Sequence, residues 1–95
     1  MELPTSIVKN SNNKRRIEHF DRKKLRDSII AACLSVHTPE GQAEITADAV
    51  CNAVIAWLQN HPEVTSHDIR TIAAKYLKKY HPEAAYLYEQ HHITI

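Results

Sequence analysis

Gly41 is the only glycine in these 95 residues, and that scarcity limits what the chain can build. Glycine supplies the positive-φ turns and close backbone approaches on which phosphate-cradling loops depend. A P-loop needs GxxxxGK[ST] and a dinucleotide-binding turn needs GxGxxG; with one glycine, neither is present. An anion site here must be made from side chains and helix ends. Tight turns must fall to asparagine, which tolerates positive φ better than any residue but glycine. Asn10-Ser11-Asn12-Asn13-Lys14 therefore reads as a turn. It joins a β-branched strand, Ser6-Ile7-Val8-Lys9, to an imperfectly alternating one, Arg16-Ile17-Glu18-His19-Phe20, and the pair suggests a hairpin.

The rest reads as helices. Asp21 is an N-cap, and Leu25, Ile29, Ala32, Cys33 and Val36 then recur at helical spacing. The segment 37–41 breaks that pattern. A second helix starts at Thr46, or alternatively at Thr38 with Pro39 in its first turn, and its stripe is Val50, Ala53, Val54, Trp57 and Leu58. It stops before His61-Pro62, because the residue before proline avoids helical backbone. Glu63-Val64-Thr65 is a brief strand. Thr65 and Asp68 make a capping box for a third helix striped by Ile69, Ile72, Ala73, Tyr76 and Leu77. Pro82 opens a fourth, with Ala84, Ala85, Leu87 and Tyr88 on its apolar side. Ile93-Thr94-Ile95 is a frayed tail or an edge strand. The expected class is α+β, mainly helical. The expected organisation is one domain over 1–95, frayed at 1–5 and 93–95.

Apolar residues are 43% of the chain, which suits a folded domain rather than a disordered segment. The opening six residues lack the basic lead and apolar stretch of a signal peptide. No apolar run nears the roughly 18 residues that span a bilayer. A cytoplasmic protein with no membrane contact is expected. Cys33 and Cys51, the two cysteines, fall on helical stripes and read as core. No CxxC-type pair accompanies the scattered histidines, so no metal site is expected. No carboxylate pair stands at a spacing that suggests acid/base work, and the expectation is a non-enzyme.

The net charge is only +1, too small for a general polyanion binder, but its distribution is uneven. Lys9, Lys14, Arg15, Arg16, Arg22, Lys23, Lys24 and Arg26 all lie in the first third. A solvated basic face is the bland account. The sharper one is a phosphate site: the hairpin brings Lys9 toward the first helix, whose N-terminus and Lys24 would face the same anion. Val8 and the hairpin backbone would then flank a base. Glu18 also serves as a simple hairpin charge partner for Lys9, and Trp57 and Tyr76 read as core rather than as stacking platforms.

These residues resemble the ATP-cone family. Val8-Lys9, then Glu18-His19-Phe20-Asp21-Arg22-Lys23-Lys24-Leu25, then Ser28-Ile29-Ile30-Ala31-Ala32 match its opening block. Thr65-Ser66-His67-Asp68-Ile69-Arg70 and Ala85-Tyr86-Leu87-Tyr88 match later ones in the same order. The resemblance implies four helices capped by a small three-stranded sheet. It implies ATP or dATP bound as an effector, with Mg2+, and no chemistry performed. By position, Val8 would wall the adenine and Lys9 and Lys24 would contact phosphate. Glu18 would meet the nucleoside, Phe20 and Asp21 would shape the pocket, and Ser66 and Arg70 would lie near the nucleotide. Such cones sit on ribonucleotide reductases and on the repressor of their genes, so the implied partners are a reductase, that repressor or a second copy of this chain, with exposed Tyr86 suited to self-association. Two departures stand out: the usual Asp-Gly turn is replaced by Asn10-Ser11-Asn12-Asn13, and no reductase or zinc-ribbon module accompanies the cone. It is therefore expected to be a piece of a longer protein or to act through a partner. The rival readings are a small DNA-binding module, with Ser66–Leu77 within a helix-turn-helix, and a protein-interaction domain that binds no nucleotide.

Overall fold

The computed structural model describes residues 2–11, 14–61 and 63–90, with side chains from Phe20 onward. Most of that chain lies in four helices, α1 (Arg22–Ser35), α2 (Glu40–Leu58), α3 (Ser66–Tyr80) and α4 (Pro82–Gln90), so the mainly helical expectation holds. Strands β1 (Glu2–Ser11) and β2 (Lys14–Asp21) come first, and β3 (Glu63–Thr65) precedes α3. They pair in the order β2-β1-β3. β1 runs antiparallel to β2 and parallel to β3, the latter through Ser6, Ile7 and Val8 alone. β1 begins at Glu2, so residues 2–5 extend the strand rather than forming a frayed lead. The expected tail 93–95, and Asn12 and Asn13 of the turn, lie outside the described residues.

The second helix differs from expectation. It starts at Glu40, directly after Pro39, with the Ala43 amide bonding the Pro39 carbonyl at 2.9 Å. Thr46 is buried inside it. The early stripe is Ala43 and Ala47, both fully buried but small enough to carry little periodic weight in the sequence. Gly41 is therefore a first-turn helical residue, not a breaker. The left-handed conformation falls instead to His37, at φ 61°, in the short connection that follows α1. Opposite it, Thr38 Oγ1 and His81 Nε2 lie 2.9 Å apart and tie the α1–α2 connection to the α3–α4 connection.

The core is one cluster built from all four helices together with Phe20 and Val64 of the sheet. Trp57 and Tyr76 are half-buried and pack against it, in line with their reading as core; Trp57 also stacks on His61 at 3.9 Å. Among the described residues, no helix is long and apolar enough to cross a membrane.

Both cysteines are free and buried. Burial pushes the Cys51 thiol up to about 11 and raises that of Cys33. These neutral thiols should react with a disulfide reagent such as DTNB only through opening of the fold. For a domain stable by about 5 kcal/mol, native labelling should be slower than that of the unfolded chain by ~1,000-fold or more; comparable rates would mean the thiols are not enclosed. Because their folded pKa values are raised, the stability these thiols contribute is full below the ordinary thiol range. It is lost as pH climbs from that range to about 11.

Candidate functional site

The register of the sheet sorts the hairpin residues. Ile7 pairs with Glu18 on one side and Val64 on the other, and Lys9 pairs with Arg16. Successive residues of a strand alternate between faces. Phe20 of β2 and Val64 of β3 are both buried against the helices. Val8 pairs with Ile17 and with Thr65. In this register Lys9 is diagonal to Glu18, its own partner being Arg16. Ile7 is the residue that sequence reading passed over; only the register puts it in the row of Glu18.

Toward the other end of β2, Phe20 is fully buried in the core. Asp21 caps α1: its Oδ1 accepts from the amides of Lys23 at 2.9 Å and Lys24 at 3.4 Å. Two of the free N–H groups of this helix end are thereby taken by a carboxylate. The expected offer of bare helix amides to phosphate is reduced accordingly.

The basic cluster does not converge as a whole. Arg26 Nε lies 2.8 Å from Asp48 Oδ1 and Arg22 Nη2 lies 3.6 Å from the same atom, both reaching across to α2. The Arg26 hydrogen bond, together with both positive charges, holds the Asp48 carboxyl below its ordinary range. Lys23 pairs with Asp27 at 2.9 Å, one turn on. Among the described residues of α1, Lys24 is the one cation with no carboxylate partner.

The start of α3 adds the remaining residues. Thr65 and Asp68 form the expected capping box, with both hydrogen bonds at 3.0 Å. Ser66 follows at once and Arg70 one turn later. Ser66 Oγ and Arg70 Nε are buried with no hydrogen-bond partner, and they are the two such side-chain atoms among the described residues. An unpaired buried polar atom costs about 1–3 kcal/mol. Two of them one helical turn apart mark a spot where the fold itself supplies no acceptor or donor.

β2 leads into α1 and β3 into α3, on either side of β1. The chain enters α1 beside Glu2 and α3 beside Val8. At ~3.3 Å per residue the two helix starts are set apart by roughly 13–20 Å along the strands. The resemblance-derived residues therefore do not crowd around one point. The α1 start carries Lys24, and the α3 start carries Ser66 and Arg70. Arg70 also borders a groove of about 300 Å³ with His67, Thr71 and Glu89. A second cleft of about 410 Å³, between Trp57 and Ile72, is flanked by Glu63 and Asp68, a poor setting for an anion. No group of three or more His, Cys, Asp or Glu among the described residues could hold a metal ion.

The family model described as the ATP cone domain matches residues 8–91. The chain is an ATP-cone domain. Comparison with curated proteins and with solved structures found no match. An ATP cone is a regulatory module that binds adenine nucleotides and is not itself catalytic. Every residue that the resemblance singled out, from Val8 to Arg70, lies within the matched span.

Proposed function

We infer that this ATP cone binds ATP or dATP, with Mg2+ carried on the phosphates, between Lys24 and Arg70, and that occupancy shifts self-association or the grip on a partner such as a ribonucleotide reductase or its repressor. Lys9 and Lys24 contact the phosphates. Glu18 meets the nucleoside portion. Val8, beside Thr65 in the register of the sheet, walls the base. Phe20 and Asp21 hold the floor and the α1 start, and Ser66 and Arg70 contact the nucleotide from α3. The observation that carries the reading is the pair of unpartnered buried atoms, Ser66 Oγ and Arg70 Nε, at positions the family resemblance had already singled out. The unpaired Lys24 supports it independently. Exposed Tyr86 suits an association surface that responds to the nucleotide.

Titration calorimetry with ATP, dATP and GTP on the wild type and on Lys9→Ala/Lys24→Ala tests the proposal. Adenine-selective binding is expected. Two lost charge-assisted contacts at ~1.5 kcal/mol each should weaken it about 100-fold in the double variant. No heat with any nucleotide on a folded sample would overturn the reading. Tight binding of duplex DNA that collapses steeply with salt would replace it with the nucleic-acid alternative.

A further inference from the structure

We propose that the cleft between the end of α2 and the start of α3 is a pocket for an arginine side chain presented by a partner protein. None of the residues assigned to the nucleotide lines it, so it stands or falls separately from the function proposed above.

Two acceptors are fixed at this cleft of about 410 Å³. One belongs to the stacked pair Trp57 and His61, whose ring centroids are 3.9 Å apart and whose planes differ by 13°. His61 Nδ1 lies 2.8 Å from the Trp57 carbonyl oxygen, and a carbonyl can only accept. The single proton of the neutral ring is therefore on Nδ1, and Nε2 is left as an acceptor. The stack and the hydrogen bond together hold that ring in place. The second acceptor is Asp68. Its Oδ2 accepts from the Thr65 amide while its own amide donates to Thr65 Oγ1, both at 3.0 Å. The capping box thus orients the carboxylate, spends one oxygen and leaves the other open. His61 and Asp68 line the one cleft together.

The helix ends at this place favour a cation. α2 is 19 residues long and has no basic residue in its last turn, so its negative C-terminal pole is not offset from within the helix. Trp57 belongs to that last turn. The positive pole of α3 is opposed by Asp68 in its first turn. The fitting ligand is therefore cationic, rich in donors and able to lie against an aromatic wall. A guanidinium is all of these: it is planar, carries donors and no acceptor, and stacks on aromatic faces. An ammonium has the charge without the plane. Val64 and Ile72, which also line the cleft, suit the aliphatic stem of an arginine. The cleft opens to solvent, so the stem can enter while its backbone stays outside, as a side chain of another polypeptide does.

Trp57 is the one tryptophan of the chain, so its fluorescence reports on the cleft without a label. The probes are two capped peptides of the same sequence, one with arginine at its centre and one with citrulline, which keeps the shape and loses the charge. The arginine peptide should shift the emission saturably and bind about tenfold tighter than the citrulline peptide. Asp68→Asn keeps an oxygen for the Thr65 amide and removes the charge. It should weaken the arginine peptide about tenfold and leave the citrulline peptide unaffected. His61→Phe keeps a ring on Trp57, removes the acceptor and should also weaken the arginine peptide. Thermal melts verify that both variants are folded; should Asp68→Asn not fold, His61→Phe carries the test. Equal binding of the two peptides, no shift with either, or arginine-peptide binding unchanged in the folded variants overturns the proposal. Free arginine binding as tightly as the arginine peptide would make the ligand a small molecule and overturn the assignment to a partner protein. ATP binding by a domain that fails these tests leaves the proposed function standing, and a domain that passes them without binding any nucleotide sinks that function alone.

Discussion

Phe20→Ala is expected to destabilise the domain by about 3–5 kcal/mol, the range for truncating a buried phenylalanine. Phe20 is fully buried and joins the sheet to the four-helix core. It is the last residue of β2 before the cap of α1, so its ring holds the strand to the start of the helix. With about 5–15 kcal/mol of total stability to draw on, the loss is a large fraction of the whole. At roughly 4–8 °C per kcal/mol for a domain of this size, the melting temperature should fall by ~12 °C or more. Urea unfolding followed by circular dichroism measures the change. A loss below ~1 kcal/mol would mean that the sheet is not anchored through this ring. Nucleotide binding should weaken as well, through loss of the sheet's docking, and ATP added in excess should restore part of the stability by mass action.

Arg70→Met is expected to move stability and binding in opposite directions. Methionine is unbranched and apolar and fits the space of the arginine stem, and it leaves nothing unpaired at the position of Nε. Removing a buried donor that has no partner should stabilise the nucleotide-free domain by about 1–2 kcal/mol, and so raise its melting temperature by ~4 °C or more. ATP affinity should meanwhile fall at least tenfold, because a charged donor to the ligand is lost. Thermal melts with and without ATP give both numbers from one sample. If the variant loses stability and binding together, Arg70 is a structural residue. If it gains stability and binds normally, Arg70 lies outside the site. The expected opposition is the mark of a position kept for ligand at the expense of the fold.

Much of this architecture was legible in local pattern. Asp21 and the Thr65/Asp68 pair were readable as caps because capping chemistry is confined to neighbouring residues, and both act as such in the structure. The stripes of the first and third helices were readable because large apolar residues recur every turn. The start of α2 was not: alanines at 43 and 47 bury as fully as leucines yet weigh little in a periodicity, and Pro39 suits the position before a helix as well as its first turn. In the candidate site, the family resemblance supplied residue identities. It did not reveal that Arg22, Lys23 and Arg26 are engaged by carboxylates while Lys24 is not.

What the sequence alone determined is whatever depends on contacts within a few residues. That includes the mainly helical class, the hairpin, the helix caps and, through its one glycine, the absence of a phosphate-cradling loop. Tertiary structure decided what depends on pairing across the chain. The register that sets Ile7 rather than Val8 beside Glu18 and Val64 follows from how β1 is clasped between β2 and β3. Asp48 neutralises Arg22 and Arg26 from another helix. Ser28 meets Tyr88 across 60 residues of sequence, and Ser66 and Arg70 lose their water without gaining partners. A side chain's burial and its partner are properties of the packed whole, because desolvation is imposed by every element that closes over it and no local pattern records which elements those are.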